Sequence, residues 1–202
     1  EWELVCVDDG STDRTGHLIR LASQNNPIKL LTHKVNQGKG AAIRDGMMAA
    51  KGKYVLFSDI DFSTPLTELP RFLSLLKDHD IVIGVRRHPQ SRIKKHQPLH
   101  RESLGQVFTK LTNLLVAPGI YDFTCGFKGF RKSVGQHLFS LMKTDRWVFD
   151  AEVLFLAQKF EFKIAQVPVV WADNSATKVH LVHDSMEALV DLLRIRWRNL
   201  DV

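Results

Sequence analysis

Short apolar runs recur along this chain, each followed by a polar or glycine-rich break and then an amphipathic stretch. Leu4-Val5-Cys6-Val7 reads as a strand ending at Asp8-Asp9-Gly10-Ser11. Ser11, Thr12 and Asp13 then offer capping chemistry for a helix through Leu18 to Ala22. Lys29 to Thr32 reads as a second strand, and the glycine-rich turn Asn36-Gln37-Gly38-Lys39-Gly40 opens a helix over about Ala41 to Ala50. After Gly52 comes the apolar run Tyr54-Val55-Leu56-Phe57, a third strand that delivers Asp59 and Asp61 to its carboxyl end. Thr67 to Lys77 has helical periodicity, and Asp80-Ile81-Val82-Ile83-Gly84 reads as a buried strand. This β-α-β-α-β rhythm predicts an α/β fold with a mostly parallel sheet and helices on its faces.

The pattern changes after Gly84. Arg86 to Arg101 is a basic, proline-containing stretch without clear periodicity, read either as a solvated loop or as a functional one. A helix over about Ser103 to Val116 follows, then the turn Ala117-Pro118-Gly119. The run Arg146 to Glu152 opens a further helix, and Phe162 to Val170 predicts a late strand. Asp184 to Leu200 is amphipathic: Met186, Leu189, Val190, Leu193 and Trp197 follow helical spacing, with Arg194, Arg196 and Arg198 around them. Two readings stand for that segment, a helix packed on the domain and a helix lying on a membrane surface. The chain therefore divides into a main domain over 1–183 and a basic C-terminal helix over 184–202.

At 202 residues the length suits one domain with a real core. The net charge of +6 points to an anionic partner: a nucleotide, a lipid phosphate, a membrane surface or a nucleic acid. Nucleic acid is disfavoured, because no basic face carries interleaved aromatics and no recognisable module is present. Cys6 and Cys125 form neither a disulfide framework nor a metal-ligand spacing. Cys125 is expected to pack, and Trp147 and Trp171 to line the core or the rim of a pocket. His180 and His183 are read as surface residues. No apolar run approaches the roughly 20 residues that span a bilayer.

The chemistry concentrates at strand ends. An Asp-x-Asp at the carboxyl edge of a strand has two readings, turn residues capping the next helix or a pair of oxygen ligands for Mg²⁺ or Mn²⁺. In the glycine-rich turn, Gly38 and Gly40 let backbone N–H groups approach a ligand closely, with Lys39 nearby as a point charge; simple helix entry is the alternative for Lys39.

Val7-Asp8-Asp9-Gly10-Ser11-Thr12-Asp13, Asn36 to Ala42 and the Asp59-Ile60-Asp61 pair, in that order, resemble GT-A glycosyltransferases of family 2. The second half is similar to dolichyl-phosphate β-glucosyltransferases and prokaryotic polyprenyl-phosphate relatives. The similarity lies in Asp122 to Lys128, Arg146 to Glu152, Val167 to Trp171 and Thr177-Lys178-Val179. That resemblance implies a GT-A fold and a metal-dependent, inverting transfer of a sugar, foremost glucose from UDP-glucose, to a polyprenyl phosphate. It implies Asp59 and Asp61 as holders of Mg²⁺ or Mn²⁺. Asp9, Gly38, Lys39 and Asp59 would contact the nucleotide-sugar donor, with Asp8 structural. Arg86 and Arg101 match positions near the acceptor phosphate, with Lys128 a further candidate. Asp122 would position the acceptor or act as a weak base, and Asp150 competes for that role; each also has a purely structural reading. Asp61 is counted with these two in the catalytic group.

The resemblance further implies a peripheral protein at the cytoplasmic face of a membrane. Two departures qualify it. Residue 1 already lies at the family's second strand, so a central first strand is lacking, and the chain is expected to be part of a longer protein or to have that strand supplied otherwise. Ser63 stands where mannosyl relatives often carry a metal-binding Gln, and it is not counted as a ligand. Two alternatives stay open: a transferase using GDP-mannose or another nucleotide sugar, and a non-catalytic sugar-nucleotide-binding module.

Overall fold

The first apolar run forms β1 (Leu4–Asp8), and the second forms β2 (Ile28–Thr32); they pair in parallel from Leu4 opposite Ile28 to Asp8 opposite Thr32. Parallel neighbours need a crossover, supplied by α1 (Thr15–Ser23), whose first N–H groups are partly satisfied by Asp13 Oδ1 at 2.9 Å from Thr15 N. The glycine-rich turn leads into α2 (Lys39–Ala49), and β3 (Tyr54–Ser58) follows. The computed structural model describes residues 1–174 and 181–198, with the side chains of the last helix from residue 187 onward. The Thr177-Lys178-Val179 motif, His180, and the side chains of His183 and Met186 lie outside the described residues.

A 3-10 turn and α3 (Leu69–Leu75) lead to β4 (Ile81–Val85), which is buried throughout. The basic stretch contains a short strand, β5 (Arg92–Lys95), and gives way to α4 (Leu99–Leu115). The second half then supplies β6 (Phe127–Arg131), α5 (Lys132–Leu141), α6 (Phe149–Lys159), β7 (Ile164–Pro168), β8 (Val170–Ala172) and α7 (Leu181–Arg198).

The main sheet has the order β3-β6-β4-β7; β1-β2 and β5-β8 form two separate ladders. The α/β expectation holds with one refinement. β6 runs antiparallel to both neighbours, Phe57 facing Lys128 and Ile81 facing Phe130, so the main sheet is mixed. β4 and β7 are parallel, as are β5 and β8. The far edges of β1 and β3 have no strand partner among the described residues. At their amino ends the two are tied by Glu3, whose carboxylate accepts the Gly52 N–H at 2.9 Å and that of Lys51.

Side chains alternate across the main sheet. Ile81, Ile83, Val85 and Phe130 face one core, where Leu138, Phe139 and Phe149 pack from α5 and α6. Val82 and Phe127 face the other, with Phe72, Leu76 and Trp171. The same alternation puts Lys128 on the face of Phe130, toward α6.

Of the two readings of the C-terminal segment, packing of the predicted stripe on the domain is not what α7 shows. The stripe that follows helical spacing is the outward face: Leu189, Val190, Leu193 and Trp197 are 38%, 43%, 52% and 79% exposed. Leu192 and Ile195, each 1% exposed, are the residues that enter the first core. The helix also runs without interruption across the 183/184 division drawn from the sequence.

Leu192→Ala is therefore expected to lower the unfolding free energy by about 2–5 kcal/mol. Leu193→Ala should stay within about 0.5 kcal/mol of the parent. Urea denaturation followed by circular dichroism separates the two, and equal losses would place the wrong face inward.

Candidate active site

β3 ends at Ser58, and the chain turns so that Asp59 and Asp61 emerge at the carboxyl edge of the sheet. The Asp59 N–H donates to Gly126 O at 2.9 Å, and its carboxylate lies so close to Gly126 that a Cβ there would collide with it. Gly126 is thus required by close approach. Phe62, at φ 50°, and the Ser63 N–H bonded at 2.9 Å to Asp61 Oδ1 hold the following turn. Lys39, the first residue of α2, reaches across and places Nζ 2.6 Å from Asp59 Oδ1 and 5.6 Å from the centre of the Trp147 ring. Burial pulls the Lys39 ammonium down, but the carboxylates of Asp59, Asp150 and Asp61 outweigh it and hold its pKa above the ordinary lysine value.

Beneath this edge lies a buried pair. Lys128 Nζ is 2.7 Å from Asp150 Oδ1, at 1% and 6% side-chain exposure. The ammonium also donates to the carbonyl oxygens of Phe123, at 2.8 Å, and Cys125, at 2.7 Å. No donor is aligned on Asp150 Oδ1 itself, so the contact is an ion pair rather than a formed hydrogen bond. Burial raises the Asp150 pKa, and the positive charges of Lys128 and Lys39 offset it only in part.

Beside the edge, Arg86 grips Asp122. Its Nε is 2.7 Å from Oδ2, its Nη2 is 2.8 Å from Oδ1, and its backbone N–H adds a third bond to Oδ2 at 3.0 Å. Arg86 also donates to Thr124 Oγ1 at 2.6 Å and stacks over Trp171. Burial raises the Asp122 carboxyl, yet the Arg86 charge and hydrogen bonds overcome it and hold the group far below the usual carboxylate range. Arg87 stands 3.8 Å from the same carboxylate and donates to Thr109 Oγ1 at 2.6 Å. Arg86, Arg87, His96, Glu102, Gln106 and Trp171 line a cleft of about 170 Å³.

The two amino-terminal motifs meet at Asp9. Its Oδ1 accepts the Gln37 N–H at 2.8 Å and its Oδ2 the Gly38 N–H at 2.9 Å, while Asn36 Nδ2 donates to Asp9 O at 3.2 Å. Gly38 has φ 107°, and a Cβ there would meet Asp145 O. Asp8 is structural, as read: it is 6% exposed and its Oδ1 accepts the Ser11 N–H at 3.0 Å.

The structure therefore brings Asp9 and Gly38 together, and separately gathers Lys39, Asp59, Asp61, Asp150 and Lys128. Lys128 does not project toward a ligand, because its ammonium is spent on two carbonyls and Asp150. Arg101 sits in the first turn of α4 and is not among the residues lining the cleft. Of the carboxylates in competition for a base, Asp122 is the poorer one, locked and strongly acidic. Sequence reasoning passed over Arg87, Thr124 and His33. Arg87 stood in the basic stretch, but only its pairing with Asp122 and Thr109 marks it out.

A model of glycosyl transferase family 2 matches residues 1–139. A dolichyl-phosphate beta-glucosyltransferase of Dictyostelium discoideum is 34% identical, covering 98% of this chain and 64% of its own length. The human protein of the same name is 31% identical over 98% of this chain and 64% of its own. The chain thus spans under two thirds of the length of these relatives. Among solved structures, Mycobacterium tuberculosis glucosyl-3-phosphoglycerate synthase with phosphoglyceric acid superposes with a TM-score of 0.72 at 17% identity, over 96% of this chain and 69% of that one. The same enzyme with Mn²⁺ and UDP-glucose gives 0.69 at 18% identity, over 96% and 67%. These likenesses place the chain's fold among GT-A glycosyltransferases.

Asp122→Asn should cost about 3–5 kcal/mol of stability by leaving Arg86 buried against a neutral amide. The sign with pH follows from the depressed carboxyl. Its contribution is full above the unfolded value of about 4 and is lost as pH falls through the folded value. Thermal melts between pH 6 and pH 3 should show a steeper acid loss in the parent than in Asp122→Asn, and parallel curves would remove this assignment.

Proposed function

The chain belongs to glycosyl transferase family 2, and from that membership and the site's geometry we propose that it transfers glucose from UDP-glucose to a polyprenyl phosphate, inverting the anomeric centre. The observation that carries this reading is the loop 122–126, which joins the Asp59 edge to the Arg86 cleft. Gly126 O holds Asp59 at the carboxylate edge, and Thr124 holds Arg86 at the cationic cleft. A diphosphate-sugar at the first and a phosphate at the second face one another across that loop. The names of the Dictyostelium and human relatives support dolichyl phosphate as acceptor and glucose as sugar.

Asp59 and Asp61 offer oxygen ligands, the donor type that Mg²⁺ and Mn²⁺ take. Among the described residues no group of three His, Cys, Asp or Glu side chains forms a closed cage. Two carboxylates completed by ligand phosphate oxygens therefore fit the donor set, as in sites that share a cation with their substrate. When bound between Asp59 and Asp61, such a cation would supply charge neutralisation for the departing diphosphate. Lys39, ion-paired to Asp59, is placed to move its charge onto the same phosphates.

A phosphomonoester has a second pKa near 6, so at neutral pH the acceptor is largely a dianion and attacks without surrendering a proton. Its oxygen forms the new bond to the anomeric carbon, while the bond from that carbon to the diphosphate breaks and leaves its electron pair on UDP. The protein's task is to hold the two anions in line. Arg86 is committed to Asp122, so Arg87 is the cation we assign to the acceptor phosphate, and Arg101, which does not line the cleft, is not counted with it. Asp150 shapes the floor beneath the sugar with its charge balanced by Lys128 and Lys39.

A lipid acceptor requires access to a membrane surface, and no helix among the described residues is long and apolar enough to cross one. The outward stripe of α7, Leu189, Val190, Leu193 and Trp197 with Arg194, Arg196 and Arg198, supports peripheral seating at the cytoplasmic face.

Calorimetric titration of UDP-glucose into the chain, with and without Mn²⁺ and with GDP-mannose as comparator, tests the donor half. Metal-dependent binding of UDP-glucose, abolished by Asp61→Ala with the melting curve unchanged, is the expected result. A preference for GDP-mannose, or turnover and binding indifferent to Asp61→Ala, would overturn it. Arg87→Ala is expected to raise the acceptor KM by about tenfold, the worth of one charged hydrogen bond. A rise confined to the donor KM would move Arg87 to the other side of the reaction.

A further inference from the structure

His33 lies one residue beyond β2 and Asp9 one residue beyond β1, the next rung of the same parallel ladder. The His33 N–H closes that rung on Asp8 O at 2.9 Å. The imidazole is buried, at 8% side-chain exposure, and bridges two carboxylates. Nδ1 is 2.6 Å from Asp9 Oδ1, and Nε2 is 2.9 Å from Asp45 Oδ2 on α2. A neutral imidazole carries one N–H and one lone pair. It would satisfy one of these carboxylates and turn a lone pair on the other at under 3 Å. Only the imidazolium donates to both.

The consequence falls on the turn 36–40. Asp9 is what folds that turn, through the Gln37 and Gly38 N–H groups. Asp9 has no cation other than His33 within ion-pair distance among the described residues. The His33 ring is held a second time from α2, by Asp45, which is 44% exposed and has Arg44 4.0 Å away, itself paired to Asp145. The backbone oxygen of Asp145 accepts the Ala41 N–H at 3.0 Å, so residue 145 also meets the start of α2.

We infer that His33 is a positioning residue for the nucleotide end of the donor: as an imidazolium it holds Asp9 and Asp45 at once, and its loss of a proton loosens the Asp9-organised turn. This role rests on the donor reading given above. The groups facing the ring are Asp9 after β1 and Asp45 on α2, with Arg44 and Asp145 next in line. The hydrogen bond to Asp9 raises the His33 pKa, burial opposes it, and Asp45 adds to the rise. Burial likewise raises Asp9, but its bonds from Gln37, His33 and Gly38 hold it below the ordinary value. The sign is then fixed. The clamp is complete below the free histidine value of about 6.5 and is lost as pH rises through the elevated folded value.

The test is UDP binding, in saturating Mg²⁺, to the parent chain and to His33→Gln at pH 7.0 and 8.5, with donor KM and kcat measured alongside. The parent is expected to bind UDP about tenfold more weakly at the higher pH, the worth of one charge-assisted hydrogen bond. His33→Gln should be weak at both pH values with no slope beyond the ligand's own, its donor KM raised and its kcat within about twofold. Asp45→Asn, at an exposed carboxylate, keeps the fold and shifts the parent's loss of affinity to lower pH, which covers the case of a His33 variant that fails to fold. A parental slope in His33→Gln or an unshifted profile in Asp45→Asn overturns the role of His33 alone. A parent chain that binds no UDP at either pH overturns the donor reading and this role with it.

Discussion

The buried ammonium of Lys128 is the contact on which the site depends. Placing a charge at 1% exposure is costly, and pairing repays that cost only when the remaining donors are used. Here they are: two carbonyls of the loop 122–126 and the Asp150 carboxylate share the one cation. The loop is thereby pulled down onto the main sheet from one side, and the start of α6 from the other. Asp122, Thr124 and Gly126 all take their positions from that loop. Arg86 is oriented by Asp122 and Thr124, and Asp59 by Gly126. An apolar residue in place of Lys128 would fill the volume but would take a donor from Phe123 O and Cys125 O and the countercharge from Asp150.

That dependence explains which parts of the molecule were legible in the sequence. Strands whose residues are apolar on both faces announced themselves: β1, β3 and β4 were placed within a residue or two, and so was the delivery of Asp59 and Asp61 to a strand end. β6 was not read as a strand. Phe127-Lys128-Gly129-Phe130-Arg131 offers a charge and a glycine where a buried strand should show neither, and only the fold reveals that the lysine is internally paired. α5, directly after it, was missed as well, since Lys132 to Leu141 carries Ser, Gly, Gln and His among its apolar positions. At α7 periodicity alone left two readings open; the better-spaced stripe is the outward face and the core takes Leu192 and Ile195. A moment indicates that a helix has an apolar side without saying what covers it.

At the site the sequence supplied the residue types but not their state of use. Asp9, Lys39, Asp59, Asp122, Arg86, Lys128 and Asp150 are each engaged with another charged or polar group, and no one-dimensional reading distinguishes a cation that is spent from one that is available. Arg86 and Lys128 are spent. Arg87 differs because its approach to Asp122 is longer, at 3.8 Å, and its guanidinium retains donors beyond the one given to Thr109.

This difference bears on how a chain of net charge +6 would handle the two anionic ligands of the proposed transfer. A surface excess of cations would attract phosphates without orienting them, since each exposed lysine or arginine is screened within about a Debye length. Orientation comes from the buried pairs. In Lys128–Asp150 and Arg86–Asp122 the partners cancel most of each other's charge and contribute geometry, while Arg87, held at the margin of the second pair, keeps charge that a ligand can redirect. A saturated pair is a poor ligand-binding group because binding must first break it at a cost of several kcal/mol. Arg87, leaning at 3.8 Å on a carboxylate already balanced by Arg86, pays far less to turn toward a phosphate, so a fixed pair makes a neighbouring charge effective.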